Sequence, residues 1–484
     1  MNSQATSHTI HALLDAATAE APEAAAVRDA TGRWTYRELD AASRGFADWL
    51  RARGVGRGDR VVVQLPTSRE LAAMFYGTSR TGAVFIPLNP AMKEFHLTSV
   101  IGDAEPVLVV GDASGVAVLR RISPVPVHDL AELWPEISEG YEHPGRPYGT
   151  AEPEPRPEPE PRPDPVRAED LAVLIYTSGS RAAPKAVMCP HAQVTFASRA
   201  LTEALGYRPD DVVFCRFPMS WDYGLYKVLM TCVARCEIVL ADGESDFVLL
   251  RRMRETGVTV VPIVPSLATM ITRLAGRDTE PVPPVRMFTN TGAALPQTTI
   301  EALRKHFPGT RVVRQYGQTE AKRITVMPPE EDTERPDSVG LPLPGTRVLI
   351  LDAQGEPVPT GEVGEIVAAG PHVMSGYWRN TEDTARSFRR DKHTGEPLLR
   401  TGDYGRLDDD GHLYFEGRHD DMFKHKGFRM STIEIEIAAM DIPGVRAAAV
   451  LPPGDGHGLA LFVESDLGPR EITAPRPARP AASG

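Results

Sequence analysis

The chain has only four cysteines, no run of apolar residues near the length of a membrane span, and no block of basic residues. Each absence excludes something. Cys232 and Cys236 form a C-x3-C pair, but there is no second pair and no neighbouring histidine cluster. Four reduced, mostly buried thiols are therefore expected in place of a metal site or disulfide framework. Without roughly 18 consecutive apolar residues no membrane helix is expected. The N-terminal MNSQATSHTIHALLDAATAE lacks the basic and then apolar order of a signal peptide, so the expected location is cytoplasmic. A formal net charge of -12 sets up a field that repels phosphate, which argues against nucleic acid or anionic lipid as a partner.

What is present fits a globular enzyme. A chain of 484 residues with 42% hydrophobic content can fill about two or three domain cores. TYRELDAASRGFADWLRARG has helical spacing, GDRVVVQL is a short apolar run, ELAAMFYGTSRTG is helical again, and VFIPL reads as a buried strand. The same alternation returns at EIVLADG, VTVVPIVPSLATMI and TRVVRQYG. Short apolar runs between amphipathic helices predict an α/β architecture with sheets covered by helices. Residues 151–165, AEPEPRPEPEPRPDP, alternate proline with charge and predict an extended polyproline II linker of up to roughly 45 Å, at about 3.1 Å per residue. A solvated connection between subdomains is preferred there over a ligand for a proline-binding domain. The closing ITAPRPARPAASG predicts a frayed tail.

After the linker, LAVLIYTSGSRAAPKAVMCPH places a Ser/Thr/Gly-rich turn and Lys185 behind a strand-like run. Backbone N–H groups, hydroxyls and one ammonium suit a phosphate chain, although taken alone this is equally an ordinary turn beside a surface lysine. Then TNTGAALP, QYGQTE and RTGDYGRLDDDGHLYFEGRHDDMFKHKGFRMSTIEIE follow in order. The set resembles the adenylate-forming superfamily of acyl-CoA synthetases, luciferases and non-ribosomal peptide synthetase adenylation domains, and the resemblance runs from about TYREL to Val463.

The resemblance implies a large multi-subdomain domain with mixed sheets covered by helices over residues 1–418, an α+β lid over 419–465 that is shorter than usual, and a tail over 466–484. It implies that Thr177, Ser178, Gly179, Ser180 and Lys185 hold phosphates. Arg181, Ala182 and Ala186 depart from the usual loop, and a Cβ there narrows the backbone if positive φ is needed. Gly292, Ala293 and Ala294 would lie along adenine, with Tyr316 stacked on its other face and Gly317 beside it. Thr319 would touch the α-phosphate, and Glu320 would hold Mg²⁺. Asp403 would accept the ribose hydroxyls, with Arg418 reaching ribose and phosphate. Asp408, Asp409 and Asp410 are read as a hairpin turn. Asp420 stands at the hinge, and Lys424, Lys426, Gly427 and Arg429 in the lid segment that closes for the second half-reaction.

In RFPMSWDYGLYKV, Trp221 matches a residue that gates the acyl pocket, and Asp222 matches the aspartate that pairs a substrate ammonium, unless it merely caps a helix. Amino acids are thus the leading substrate class, ahead of simple aliphatic or aryl acids. Lys322 and Arg323 are either surface cations, the preferred reading, or groups facing the acyl pocket. The family ends near a P-x-x-x-G-K segment, whereas Lys426 is the last lysine here. Loss of that cation is worth typically ~10²–10³ in rate. The implied activity is ATP-dependent formation of an acyl-AMP and transfer to a phosphopantetheine thiol, on a carrier protein or coenzyme A. The alternative is a non-catalytic or thioesterification-only relative.

Overall fold

The computed structural model describes residues 8–142, 165–177, 184–241, 243–418, 422–425, 428–442, 444–453, 457–468 and 472. Of the proline-rich segment 151–165 only Pro165 is among them, and most of 466–484 lies outside them.

The continuous apolar runs become interior strands. Val84–Leu88 is buried along its whole length, and Arg60–Gln64 is buried after its first residue. They pair in parallel at the centre of a six-stranded sheet ordered Val127–Asp129, Leu108–Gly111, Arg60–Gln64, Val84–Leu88, Leu171–Thr177 and Lys185–Pro190. Parallel strands need cover on both faces, which is why their sequences do not alternate. Helix Tyr36–Ala52 starts where Thr35 and Glu38 cap one another reciprocally, and helix Arg69–Thr81 stops at Gly82, whose φ of 75° ends the turn. The two helices pack together and contribute Phe46, Trp49, Phe75 and Tyr76 to the core.

A nine-stranded sheet carries most of the candidate site. Its parallel centre runs Ala25–Arg28, Glu237–Leu240, Val212–Cys215, Val260–Ile263, Met287–Asn290, Arg311–Tyr316. Antiparallel strands close it: Arg33–Thr35 at one edge, Thr325–Val326 and Leu341–Pro342 at the other. Helix Asp222–Ala234 lies against this sheet and is buried almost throughout. Each large apolar side chain so buried contributes about 1.5–3 kcal/mol, whereas Lys227, 2% exposed in the middle of the helix, costs energy.

A five-stranded antiparallel sheet follows, built on Pro397–Leu407 and Leu413–Arg418. Their connection is the hairpin expected from LDDDG, with Gly411 N donating to Asp408 O at 3.0 Å. Beyond it come the hairpin Met422–His425 and Phe428–Ser431, helix Thr432–Met440, and the ribbon Val445–Leu451 with Ala460–Ser465. Asp441 ties this last part to the nine-stranded sheet's surroundings: its Oδ1 accepts from Gln297 N at 2.8 Å, at the start of helix Gln297–His306. The architecture is the α/β class read from the sequence, mixed sheets covered by helices with a smaller α+β part. All four cysteines are buried and free, and no helix among the described residues is long and apolar enough to cross a membrane.

Candidate active site

Residues 292–294, residues 317–320 and Asp222 follow the carboxyl ends of parallel strands, where open α/β sheets form their binding crevice, whereas Lys185, Asp403 and Arg418 lie on antiparallel strands. Strand Met287–Asn290 leads into Gly292, Ala293 and Ala294, which are exposed, and the Asn290 amide donates to Ala293 O at 2.9 Å to hold that turn. Strand Arg311–Tyr316 leads into Gly317, Thr319 and Glu320. This second turn is tight. A Cβ on Gly317 would stand 2.4 Å from Lys322 O and 2.6 Å from Arg323 Cα, so only glycine permits the chain to fold back on itself. Lys322 takes up part of the turn at φ 60°, a conformation that costs a non-glycine residue about 1 kcal/mol or more.

That turn separates two groups of side chains. On one side Glu320 Oε1 accepts from the Tyr377 hydroxyl at 2.7 Å. Burial and the Glu320 charge raise the Tyr377 pKa, so the hydroxyl stays a donor. Lys185 Nζ pairs with Asp383 and sits 5.6 Å from the Tyr377 ring centroid. The hydrogen bond from Lys185 holds the Asp383 carboxyl below the usual range. Thr177 and Lys185 are opposite one another in a strand pair, and Thr177 Oγ1 donates to Lys185 O at 3.3 Å. Ser178, Gly179 and Ser180 lie outside the described residues. No cluster of three or more His, Cys, Asp or Glu suited to a metal occurs among the described residues. Glu320 Oε2 has no hydrogen bond among them, and a lone carboxylate oxygen fits Mg²⁺ shared with substrate phosphates better than an all-protein cage.

Asp403 and Arg418 face each other across adjacent strands, with Arg418 Nε 3.4 Å from Asp403 Oδ1. Asp403 Oδ2 also accepts from the Tyr316 hydroxyl at 2.7 Å. Tyr316 is buried and packs against Phe415, ring centroids 5.4 Å apart. The structure thus joins Tyr316 to Asp403 directly, a contact the linear motifs do not announce. Lys424 and Arg429 are cross-strand partners in the hairpin beyond, whereas Asp420, Lys426 and Gly427 lie outside the described residues.

On the other side of the turn is a narrow cleft with about 10 Å³ of free space, lined by Asp222, Tyr223, Tyr226, Lys227, Gln315, Lys322 and Arg323 together with the apolar Leu201 and Met230. Here the preferred expectation for Lys322 and Arg323 is corrected: they are 1% and 6% exposed, because the Gly317 turn carries them inward. Arg323 Nη1 lies 3.7 Å from Asp222 Oδ2 and its guanidinium stacks 4.9 Å from the Tyr223 ring. Lys322 Nζ approaches Cys189 Sγ at 3.5 Å and the Tyr226 ring at 5.0 Å. Asp222 occupies the first turn of its helix, where a carboxylate complements the dipole, but the cap position belongs to Trp221, whose side chain makes no cap. Trp221 is 53% exposed and does not line the cleft. The sequence reading did not single out Tyr377, Asp383, Gln315, Tyr226 or Lys227. Only Lys227 left a usable trace, a lysine in the otherwise apolar helix DYGLYKVLMTCVA.

Comparison with known proteins identifies the family. A family model described as AMP-binding enzyme matches residues 14–378. The probable non-canonical nonribosomal peptide synthetase CymA of Salinispora arenicola is 33% identical over 463 residues, 94% of this chain and 6% of that protein. The chain spans 6%, 35% and 41% of the first three curated relatives it matches. The L-proline--[L-prolyl-carrier protein] ligase of Streptomyces coelicolor is 30% identical over 436 residues, 87% of this chain and 80% of that protein. Among solved structures, VinN is 51% identical with a TM-score of 0.77, covering 84% of this chain and 98% of that one, and it has also been solved with L-aspartate and with 3-methylaspartate. On the strength of that family model and of relatives of these kinds, the chain belongs to the AMP-binding enzyme family, within the adenylate-forming superfamily.

Proposed function

We propose that the chain uses ATP and Mg²⁺ to activate an amino acid of the aspartate type, one with a second carboxylate, as its acyl-AMP, and then passes the acyl group to a phosphopantetheine thiol on a carrier protein or coenzyme A. The observation that carries this reading is the narrow cleft in which Asp222 lies 3.7 Å from Arg323 and shares the lining with Lys322. The half-buried Asp222 carboxylate suits a substrate ammonium, and the surplus of cations suits a further carboxylate. The VinN complexes with L-aspartate and 3-methylaspartate support the same class.

In this reading one substrate carboxylate oxygen attacks the α-phosphorus of ATP, the bond to the β-phosphate oxygen breaks, and pyrophosphate leaves. The thiol sulfur then attacks the acyl carbon, AMP departs, and the thiol gives up its proton. Lys185, with Thr177, Ser178, Gly179 and Ser180, holds phosphates and exchanges its Asp383 partner for them. Thr319 contacts the α-phosphate. Glu320, held by Tyr377, would ligate Mg²⁺, which when bound neutralises charge on the leaving pyrophosphate. Gly292, Ala293, Ala294, Tyr316 and Gly317 flank adenine, and Asp403 with Arg418 receives the ribose. We assign these roles to a large domain over 1–418 and the transfer step to a lid over 419–465, hinged at Asp420 and bringing Lys424, Lys426, Gly427 and Arg429 to the site. ATP–pyrophosphate exchange across a panel of amino, aliphatic and aryl acids tests the reading, followed by acyl transfer with and without carrier protein. Exchange supported only by acids without an amino group would overturn it.

A further inference from the structure

Lys227 is the least explained charge in the molecule. Its ammonium reaches the Tyr207 hydroxyl at 3.5 Å and Met230 Sδ at 3.8 Å, and it lies 4.9 Å from the Tyr223 ring, but it has no carboxylate partner among the described residues. A leucine or methionine would fill this core position without the cost of burying a cation. Tyr223 and Lys227 are four residues apart, as are Asp222 and Tyr226, so these adjacent rows share the helix face that lines the cleft. Two further polar groups on the same cleft are unsatisfied: both amide atoms of Gln315, a residue 5% exposed, and the Tyr226 hydroxyl. Buried polar groups are nearly always paired, so the unpaired ones on this wall call for a polar partner, an ordered water or a ligand.

We propose that Lys227 is a specificity-determining residue of the acid cleft, its ammonium joining Arg323 and the Gln315 amide to receive the second carboxylate of the substrate. The inference rests on the function proposed above and deepens it. The walls set Lys227, Lys322 and Arg323 against Asp222 alone. An amino acid with a neutral side chain fills Asp222 and leaves this excess, whereas one with two carboxylates offsets it. Burial and the neighbouring Arg323 lower the Lys227 pKa to about 7, opposed by Asp222 and Cys215, so an arriving carboxylate also restores its full charge. Tyr207 and Tyr223, the other ionisable groups against it, have raised pKa values through burial and remain neutral.

The test compares kcat/KM in ATP–pyrophosphate exchange for aspartate and glutamate with asparagine, glutamine and alanine, using the full chain and its Lys227→Met and Lys227→Arg variants. The expected result is a wild type that prefers a dicarboxylic acid over its amide. In Lys227→Met that preference falls at least about tenfold, the scale of one lost charge-assisted hydrogen bond, and Lys227→Arg restores part of it. Both substrates are measured on one preparation, so any unfolded fraction cancels from the ratio. A wild-type preference that survives unchanged in Lys227→Met overturns the role of Lys227 alone. A wild type with no preference for the dicarboxylic acid overturns the substrate class and this inference together.

Discussion

The two ends of the candidate site solve the problem of buried charge in opposite ways. At the end proposed for the nucleotide the polar groups are paired inside the protein: Lys185 with Asp383, Glu320 with Tyr377, Asp403 with Tyr316 and Arg418. At the acid end Lys227, Lys322, Gln315 and Tyr226 have weak partners or none. Paired groups release one set of hydrogen bonds as they take up another, so nucleotide exchange is close to balanced. Unpaired groups carry an electrostatic cost that a complementary ligand removes, so under the proposed function selectivity is set at the acid end.

The strongest way to break this contrast is Glu320→Gln, which keeps the acceptor for Tyr377 but removes the charge. Adenylation is expected to fall ~10²–10³ in pyrophosphate exchange, while the unfolding midpoint stays close to wild type. An exchange rate equal to wild type would take Glu320 out of the site.

Lys227→Met should have the opposite balance, gaining stability as it loses selectivity. The folded pKa of about 7 lies below the ordinary 10.5, so between these values the unfolded chain binds more protons and wild-type stability rises with pH. The burial penalty is complete below about pH 7 and disappears as pH approaches 10.5. The variant should therefore exceed wild type most at neutral pH, with a difference shrinking by up to about 1.4 kcal/mol per pH unit in that window. Urea unfolding of both proteins at pH 7 and pH 9 measures it; a difference independent of pH would show that Lys227 is not a buried, neutralised amine.

Asp222→Asn sharpens the acid end itself. A loss of about 10–100-fold is expected for substrates bearing an ammonium, and little for the corresponding acid without one. Equal losses for both would make Asp222 a structural residue of the helix start.

The smallest effect is expected at the contact between the C-terminal part and the large sheet. Asp441→Ala removes the acceptor for Gln297 N, and a lost cap of this kind costs about 0.5–2 kcal/mol. Faster amide hydrogen exchange at Gln297, with adenylation little changed, is the outcome to look for.

Much of this molecule was legible in one dimension because its signals are local. Thr35 and Glu38 mark a helix start within four residues, VFIPL can be nothing but a covered strand once flanked by helices, and LDDDG turns a hairpin by its own side chains. The ordered motifs around Lys185, Glu320 and Asp403 offered candidates for the same reason, each being a short run that can be read without its neighbours. What the sequence alone determined was therefore the fold class, the order of elements and the family. Burial was not determined that way. Lys322 and Arg323 read as surface cations, and only the close approach of Gly317 to Lys322 O turns them inward. Tyr377 meets Glu320 across 57 residues and Asp403 meets Tyr316 across 87, distances that no pattern spans. The tertiary structure alone decided which charges share a cleft, because the cost of a buried charge depends on what the rest of the chain places within a few ångströms of it.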